Sequence, residues 1–579
     1  MRKDRAAELR RYADDKMIKQ LKQLRCLTVV LSAILSVAGC QPQLSEGDAK
    51  ALSEAKAFLA GGGDVNARDE EDWTLMRHAV WNNHLGTMRF LIANGTDLEE
   101  HDNCWHYLLH DAALRGRLEA MKLLVEHGAE INAKLTHTEC TALHFAAFEG
   151  SIDTVRFLVQ HKADVNAKGR GRVTPILFAA AGGNYEVVEF LISKGASATA
   201  GSKGGATPLC NTAGGHRLLI REYSGEWFHI RIGDTREDLA ARLSSLRTCD
   251  HGKVVRLLVK SGAKVNESIW YATALHRASF AGNVRAVEAL LELGADPSRR
   301  TGDELSDDNP WERPGYNALD AAAWSGVRLE PRHGGKLVEA LIRAGVKVNQ
   351  HDGTGKTPLH HAVENLHVDA IKALLKGGAN VNGVDKKFVR KDKAEVIVPD
   401  PPWYRHNIGT VHYGQTPLFT ALKIGFPRHW GEKLRSQMRE KRTEVIRLLL
   451  DKGADTAVQL SDGATPLHVA VLFANPEEVV DLLLAHGADI NATDKGLATP
   501  LHYAAARDLD DRRREIVRLG LARLLVSEGA SLTARAKTGN MTPLDWALWS
   551  KDSGEAKTEI SKEFAKILKD AAASEEQDE

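Results

Sequence analysis

A short motif of the form Thr-Pro-Leu-His recurs along the chain at a spacing close to 33 residues, and this period constrains the fold more than any other feature. Complete or degenerate copies begin at Thr74, Tyr107, Thr141, Thr174, Thr207, Thr273, Asn317, Thr357, Thr416, Thr465, Thr499 and Thr542. Small apolar residues, a Val/Leu-rich run and a relative of Gly-Ala-Asp-Val-Asn, as at residues 487–491, commonly follow. A fixed period of this length indicates a repeat array, in which each unit packs only on its neighbours.

Each repeat is predicted to contain two short helices. In the copy at Thr465, the threonine side chain is suited to cap the first helix, and Pro466 fits the first turn because no N–H donor is needed there. The Val/Leu pairs predict an apolar second helix, and a glycine such as Gly262 predicts its end. No single helix pair buries both of its faces, so the stability must come from stacking.

These motifs resemble the ankyrin repeat, and the resemblance extends from about residue 51 to about residue 570. It implies an all-α fold, an ankyrin-repeat solenoid of about 12–13 helix-turn-helix repeats with loop insertions. It also implies that a histidine at the fourth motif position is hydrogen-bonded inside the fold. That position is occupied by His144, His276, His360, His468 and His502.

The array is predicted to occupy residues 51–573, with several departures from the period. The interval between Thr207 and Thr273 is about twice the usual one, which predicts a degenerate repeat near 241–272. Longer intervals predict insertions that emerge as loops, near residues 220–235, 298–315, 384–413 and 424–440. Before the array we expect a short tether at 40–50, and after its terminal helix an acidic disordered tail at 574–579.

Residues 1–39 have the pattern of an export signal. Basic side chains precede a short uncharged stretch, at Lys19, Lys22 and Arg25. The uncharged stretch, 26–38, is too short to span a bilayer. The exit from it, Val-Ala-Gly-Cys, resembles the bacterial lipobox, which implies cleavage before Cys40 and lipid attachment to that residue. Residues 1–16 mix acidic and basic side chains, unlike the start of such a leader, which indicates a true start at Met17. The alternative is an ordinary buried helix that ends in cysteine.

No constellation of catalytic or metal-ligating residues stands out. The segment 353–357 looks like the end of a phosphate-binding loop, but Gln350 stands where that loop needs a glycine. The chain has 77 basic and 77 acidic side chains, which argues against a surface that tracks nucleic acid phosphates. We therefore expect no catalysis, no cofactor, no metal and no nucleic acid partner. The enzyme alternative places a site in an insertion, with His229 or His406.

The four cysteines that remain after export processing are Cys104, Cys140, Cys210 and Cys249. Cys104 and Cys140 belong to successive repeats, whose helices pack about 8–10 Å apart, and that is farther than a disulfide spans. We expect thiols at all four, with a Cys210–Cys249 disulfide as the alternative.

Large aromatic residues at variable positions of the first helix are the candidate partner-binding residues. With the motif threonine counted as zero, core residues are expected at plus two, five and six, so plus four and plus seven or eight should share an exposed edge. Aromatic side chains bury much area at low entropy cost, which suits them to anchor an interface. They stand at these positions as Trp81, Phe145, Phe148, Phe178, Phe280, Trp324, Phe473, Tyr503, Trp546 and Trp549. The alternative is that they fill gaps between stacked helices.

Taken together, the sequence predicts a membrane-tethered ankyrin-repeat lipoprotein that acts as a protein–protein interaction module. It would face the periplasm of a bacterial cell envelope, at the outer membrane if the organism is Gram-negative. An inhibitor or immunity protein for an envelope-acting enzyme is one specific hypothesis. A cytosolic ankyrin scaffold or a secreted host-interaction effector, translated from Met1, is the alternative.

Overall fold

The computed structural model describes residues 44–70, 72–99, 107–136, 138–203, 205–214, 250–269, 272–301, 315–324, 334–385, 414–426, 430–473, 477–505, 512–548 and 559–578. Helices dominate these residues. The chain divides into two compact units, residues 1–269 and residues 270–579.

In the first unit, the described helices alternate between first and second helices of successive repeats. They are α1 (Glu46–Ala60), α2 (Leu75–Asn82), α3 (Leu85–Ala93), α4 (Leu108–Leu114), α5 (Leu118–Glu126), α6 (Ala142–Glu149), α7 (Ile152–Gln160), α8 (Pro175–Gly182), α9 (Tyr185–Ser193), α10 (Pro208–Gly214) and α11 (His251–Lys260). A two-residue strand, β1 (Ser268–Ile269), and a 3-10 turn at Arg170–Arg172 complete the described regular structure of this unit.

The second unit follows the same alternation. It begins with the short strand β2 (Ala272–Thr273) and continues with α12 (Ala274–Ala281), α13 (Val284–Glu292), α14 (Ala318–Trp324), α15 (Gly334–Arg343), α16 (Pro358–Glu364), α17 (Val368–Lys376), α18 (Pro417–Lys423), α19 (Glu432–Asp451), α20 (Pro466–Leu472), α21 (Glu477–Ala485), α22 (Pro500–Ala505), α23 (Arg512–Ser527), α24 (Pro543–Leu548) and α25 (Glu559–Asp578). A 3-10 turn lies at Thr538–Asn540.

Within each unit the helices form two layers. First helices pack on first helices of the neighbouring repeats, as α4, α6 and α8 do, and second helices pack on second helices. Paired alanines such as Ala146 and Ala147 are fully buried, and their small side chains let neighbouring first helices approach closely. Leucines such as Leu143 and Leu158 fill the space between the two layers. The fold is therefore the predicted ankyrin-repeat solenoid.

The motif histidines join each repeat to the next, as predicted. The Nδ1 atom of His144 accepts a hydrogen bond from the backbone N–H of Thr141 at 3.0 Å, and its Nε2 atom donates to the carbonyl oxygen of Val173 in the following repeat at 3.3 Å. Burial lowers the pKa of His144 to about 4, so the ring is neutral and has one acceptor and one donor nitrogen. The same pair of contacts recurs at His276, His360, His468 and His502.

Asparagine side chains make a second set of links between repeats. The Asn132 side chain accepts from the backbone N–H of Asp164 at 2.9 Å and donates to the carbonyl oxygen of Lys162 at 3.1 Å. Asn349 and Asn382 bind the backbone of the following repeat in the same way. This contact explains why asparagine ends the Gly-Ala-Asp-Val-Asn motif.

Regular structure begins earlier and ends later than the sequence predicted. Helix α1 starts at Glu46, inside the predicted tether 40–50, where the Ser45 hydroxyl caps it by accepting from the backbone N–H of Asp48 at 3.1 Å. The buried Asp48 carboxylate in turn accepts from the backbone N–H groups of Gly86 and Thr87 at 2.8 and 3.0 Å. A carboxylate at the start of α3 satisfies donors that the helix itself leaves unpaired. At the other end, α25 continues to Asp578, so the tail predicted to be disordered is helical over residues 574–578. Its alanines and glutamates are good helix formers.

Two predicted insertions leave the array between residues that are hydrogen-bonded to each other. The backbone N–H of Thr301 donates to the carbonyl oxygen of Tyr316 at 2.7 Å, at the base of the insertion near 298–315. The backbone N–H of Asp385 donates to the carbonyl oxygen of Gln415 at 3.0 Å, at the base of the insertion near 384–413. Residues 302–314 and 386–413 themselves lie outside the described residues.

The extra residues near 424–440 differ from the loop that the sequence predicted. Most of them form the first half of α19, which has 20 residues, whereas the second helix α17 has nine. The insertion near 220–235 and the first part of the degenerate repeat near 241–272 lie outside the described residues. Helix α11 (His251–Lys260) is the second helix of that degenerate repeat.

The predicted leader 1–39 and Cys40 also lie outside the described residues. In the parts of the chain that the structure does describe, no helix combines the length and the hydropathy needed to cross a bilayer. Cys140 is a buried thiol, and burial raises its pKa to about 12. Cys210 is buried as well, whereas Cys104 and Cys249 fall outside the described residues.

Candidate protein-interaction surface

Aromatic side chains at plus seven of the first helix lie at the surface of the array. We call the row in each unit its first-helix edge and define it by Trp81 and Phe148 in the first unit and by Phe280 and Trp324 in the second. In these rows, Phe280 is exposed and the other three side chains are half-buried. Partly or fully accessible aromatic side chains thus occur at plus seven, and the binding role of these residues stays a prediction.

Trp81 lies in a small aromatic and cationic cluster of the first unit. Its ring meets the ring of Trp73 edge-on, with the centroids 5.3 Å apart. The Arg115 guanidinium carbon lies 3.9 Å from the centroid of the Trp81 ring, which is the distance of a cation–π contact. Trp81 is thus held in one orientation while part of its ring stays accessible.

The strongest exposed aromatic feature is a stacked pair in the second unit. The rings of Phe280 and Trp324 are 5.5 Å apart and inclined by 23°, and they belong to the neighbouring first helices α12 and α14. Phe280 is 39% exposed, which makes it the only exposed aromatic side chain among the described residues. Exposed apolar rings in fixed positions are typical of sites that bind a partner.

At plus four the prediction of exposure is wrong for two residues. Phe145 and Phe178 are buried, at 4% and 3% exposed, because the first helix of the adjacent repeat covers this side of the helix. Their centroids are 6.4 Å apart, and each ring also meets a buried motif-region histidine, His110 and His144 respectively. These two phenylalanines fill the gaps between stacked helices. Phe148, at plus seven, rests its ring edge-on against Phe178 and remains half-buried.

The remaining candidates lie in the last repeats. Tyr503 is half-buried and donates from its hydroxyl to the Asp494 carboxylate at 3.0 Å. Trp546 packs edge-on against the ring of His502, and Phe473 is half-buried at the end of α20. Trp549 lies outside the described residues.

The sequence prediction missed two polar features of the first unit. Arg77 and Asp111 form a buried ion pair between neighbouring first helices, with Nη1 and Oδ2 3.2 Å apart. Three consecutive turns of the first unit also carry clustered lysines and arginines. A comparison of equivalent positions in successive repeats would have revealed the basic turns, because residues that stack in the array are about one period apart in the sequence. It would not have revealed the ion pair, because Arg77 and Asp111 are at non-equivalent positions.

The chain belongs to the ankyrin-repeat family. The family model for ankyrin repeats in three copies matches residues 46–135, 76–169, 109–202, 315–387, 330–427 and 438–494, and the single ankyrin repeat model matches residues 271–302. Ankyrin repeats imply a protein–protein interaction module.

Relatives match only part of the chain. Human ankyrin repeat and SOCS box protein 6 is 33% identical over 138 residues, which are 22% of this chain and 29% of that protein. Ankyrin repeat domain-containing protein SAT10 of Stachybotrys chartarum is 31% identical over 218 residues, 37% of this chain and 10% of that protein. Delta-latroinsectotoxin-Lt1a of Latrodectus tredecimguttatus is 39% identical over 93 residues, 15% of this chain and 8% of the toxin. The chain thus spans less than a third of each of these relatives.

Among solved structures, the crystal structure of the human ASB11 ankyrin repeat domain is similar to part of this chain. The two share 22% sequence identity with a TM-score of 0.34. The match covers 47% of this chain and 98% of that domain.

Proposed function

We propose that this protein is a membrane-tethered ankyrin-repeat lipoprotein that binds a protein partner through its first-helix edge. The observation that carries the binding role is the stacked pair Phe280–Trp324, with Phe280 more than a third exposed. An apolar ring pair that is already ordered loses little conformational entropy when a partner covers it. Aromatic residues of this kind dominate the energy of many protein interfaces.

The tether rests on the sequence near the N-terminus. Three basic residues, a short uncharged stretch and the Val-Ala-Gly-Cys exit precede an array that starts at Glu46, so only a few residues separate Cys40 from the first helix. A lipobox product carries more than one acyl chain, and two chains anchor a protein stably. An inhibitor or immunity role against an envelope-acting enzyme is one form of the proposed interaction.

Replacing both residues of the stacked pair with alanine is expected to weaken the binding of the partner. The double variant Phe280→Ala/Trp324→Ala removes two interface anchors and should raise the Kd for the partner about 30-fold or more. A single hot-spot residue that contributes about 2 kcal/mol already accounts for a change of about 30-fold. The measurement is quantitative capture of crosslinked partners from the envelope fraction of the source organism, with the wild-type chain and the variant as baits.

The second unit offers a matched control. Phe426 and Trp430 form another stacked ring pair, with centroids 6.4 Å apart and an inclination of 28°, and neither residue is at plus seven of a first helix. Phe426→Ala/Trp430→Ala should leave capture within about twofold of wild type, since residues outside a hot spot contribute little. If both double variants capture the same proteins in the same amounts as wild type, the first-helix edge of the second unit is not the binding surface.

Loss of the modified cysteine is expected to release the protein from the membrane. Cys40→Ala removes the only thiol of the predicted lipobox, so the leader should stay uncut and no acyl chain should be attached. Labelling with a clickable palmitate analogue and the mobility of the band on a gel measure both steps. Cys104→Ala is the matched control and should retain label and processing. Equal labelling of the Cys40→Ala variant and wild type would contradict the tether.

A further inference from the structure

Three consecutive turns of the first unit present a cluster of basic side chains. The turns are residues 134–139, 168–173 and 201–206, and each one ends one or two residues before the motif threonine of a first helix. We call the cluster the basic ridge, and its members, all of them exposed, are Lys134, Lys168, Arg170, Arg172 and Lys203. Glu139 is the only acidic residue of the three turns. The ridge is thus strongly positive in a chain whose basic and acidic side chains are equal in number.

Backbone hydrogen bonds hold the three turns together. The N–H of Arg170 donates to the carbonyl oxygen of Thr138 at 2.6 Å, and the N–H of Lys203 donates to the carbonyl oxygen of Gly171 at 2.6 Å. Gly169 lets the first two turns approach, because a Cβ atom there would lie 3.0 Å from the Thr138 oxygen. The charges therefore project from a connected backbone, and a ligand need not order the turns when it binds.

Several of these cations have no carboxylate within ion-pair distance among the described residues. This holds for Lys168, Arg172 and Lys203, whereas some basic side chains elsewhere in the unit are paired, such as Lys122 with Glu119 at 2.7 Å. Arg172 also has a φ of +62°, a left-handed conformation that is costly for a residue with a side chain. The last turn has glycine at the equivalent position, Gly205, where φ is +80°. The first turn has Glu139 at the equivalent position, with a φ of +52°, so this position accepts residues other than glycine.

We infer that the basic ridge binds an extended acidic segment of the protein partner, an inference that rests on the proposed interaction function. Opposite charge supplies attraction and orientation, and it raises the association rate. Successive first helices lie about 8–10 Å apart, so the turns that precede them should follow a similar spacing. A polyproline II segment advances about 3.1 Å per residue with three residues per turn, so every third side chain faces the same way about 9 Å further on. A segment with an acidic residue at every third position would therefore match the spacing of the basic turns in the ridge.

The experiment uses labelled peptides and the full chain in non-ionic detergent. The probe is the peptide (Pro-Pro-Glu)4, and its comparison is a peptide of equal composition in which the four glutamates are contiguous. Fluorescence anisotropy at low salt gives Kd for each. We expect the periodic peptide to bind the wild-type chain more tightly than the contiguous one, and the binding to weaken as the salt concentration rises.

Charge reversal tests the ridge itself. The triple variant Lys168→Glu/Arg172→Glu/Lys203→Glu is expected to raise the Kd of the periodic peptide at least tenfold. The matched control is Arg89→Glu/Lys260→Glu/Lys264→Glu, which makes the same change in net charge at exposed residues of the same unit outside the ridge. This control should change Kd less than twofold. Arg172→Gly removes one charge at a position where the backbone favours glycine, so it should fold and raise Kd by about 1.5- to fivefold.

Three outcomes would overturn the inference. One is equal weakening by the ridge variant and by the control, which would show only an effect of net charge. Another is no binding of either peptide at low salt. The third is ridge-dependent binding of a DNA oligomer or of phosphatidylglycerol vesicles that is tighter than binding of the periodic peptide. Partner capture through Phe280 and Trp324 is measured separately, so a failure of the ridge is distinguishable from a failure of the proposed function.

Discussion

The variant Arg77→Met is expected to lower the free energy of unfolding by about 3–5 kcal/mol, the usual cost of removing one partner of a buried ion pair. Arg77 and Asp111 have side chains that are only 2% and 5% exposed, and they join the neighbouring first helices α2 and α4. Methionine fills much of the arginine volume, so the main loss is the charge that compensates the Asp111 carboxylate. Urea-induced unfolding of the full chain, followed by circular dichroism, measures the change.

Two further variants separate the buried charge from the loss of arginine as such. Arg77→Met/Asp111→Leu removes both charges and should recover most of the lost stability, because a buried pair is often replaced by apolar residues without cost. Arg68→Met breaks the accessible pair between Arg68 and Asp72, whose side chains are 35% and 28% exposed, and should cost less than about 1 kcal/mol. A loss below about 1 kcal/mol for Arg77→Met, or no recovery in the double variant, would show that the Asp111 carboxylate is not destabilised by the loss of its partner.

The helices and their ends were predictable because local residues determine them. A threonine cap, a proline in the first turn and a glycine after the second helix act within a few residues, so one copy of the motif suffices to predict a helix pair. The role of His144 followed from the resemblance, and the structure gives its reason: one ring nitrogen serves its own helix and the other serves the next repeat.

The exposure of the aromatic residues was only partly predictable, because it depends on the neighbouring repeat. Phe145 and Phe148 belong to the same helix and are three residues apart, yet Phe145 is buried and Phe148 is half-buried. The side of the helix at plus four faces the adjacent first helix, whereas plus seven lies near the helix end. The period of a single helix cannot distinguish these sides, since it contains no information on where the next helix packs.

Contacts between residues at non-equivalent positions of neighbouring repeats could not be predicted from the sequence, for a similar reason. Arg77 is at plus three of its repeat and Asp111 is at plus four of the next one, so no motif links them. Asp48 caps a helix 38 residues further along the chain. Such pairs need the stacking geometry of the repeats, which the period implies only in outline.

Asp320 breaks the histidine pattern and leads to the second large prediction. It occupies the fourth motif position of the repeat that begins at Asn317, and it is completely buried. Its Oδ2 atom accepts from the backbone N–H of Asn317 at 3.0 Å, whereas its Oδ1 atom is buried and has no hydrogen-bond partner in the part of the chain that the structure describes. Burial raises the pKa of Asp320 to about 7 from an ordinary value of 3.8. The folded chain therefore keeps a proton on this carboxyl that the unfolded chain has already lost.

The sign of the pH dependence follows from this difference. The contribution of Asp320 to stability is complete below pH 3.8 and is lost as the pH rises to about 7, because only the unfolded state releases its proton in that window. A pKa difference of about three units corresponds to about 4 kcal/mol. An asparagine side chain at this position would resemble the protonated carboxyl at every pH. We therefore expect Asp320→Asn to be more stable than wild type by an amount that grows by about 1.4 kcal/mol per pH unit between about pH 4 and 7 and is constant above.

Urea-induced unfolding of wild type and Asp320→Asn at pH 5, 6, 7 and 8 measures the difference in their free energies of unfolding. His276 and His360 also titrate in the second unit, since burial lowers the pKa of each to about 4, and the ion pair of His361 with Asp352 is buried beside Asp320. These groups are present in both chains, so their own titration largely cancels in the difference between the two curves. The matched control is Asp545→Asn, at the same motif position of the last repeat, where the carboxylate is exposed and its pKa is lowered by hydrogen bonds from Thr542. That variant should be less stable than wild type at pH 7. If the difference in the free energy of unfolding between Asp320→Asn and wild type stays constant from pH 5 to 8, the Asp320 carboxyl is ionised in the folded chain throughout this range. Burial then does not raise its pKa.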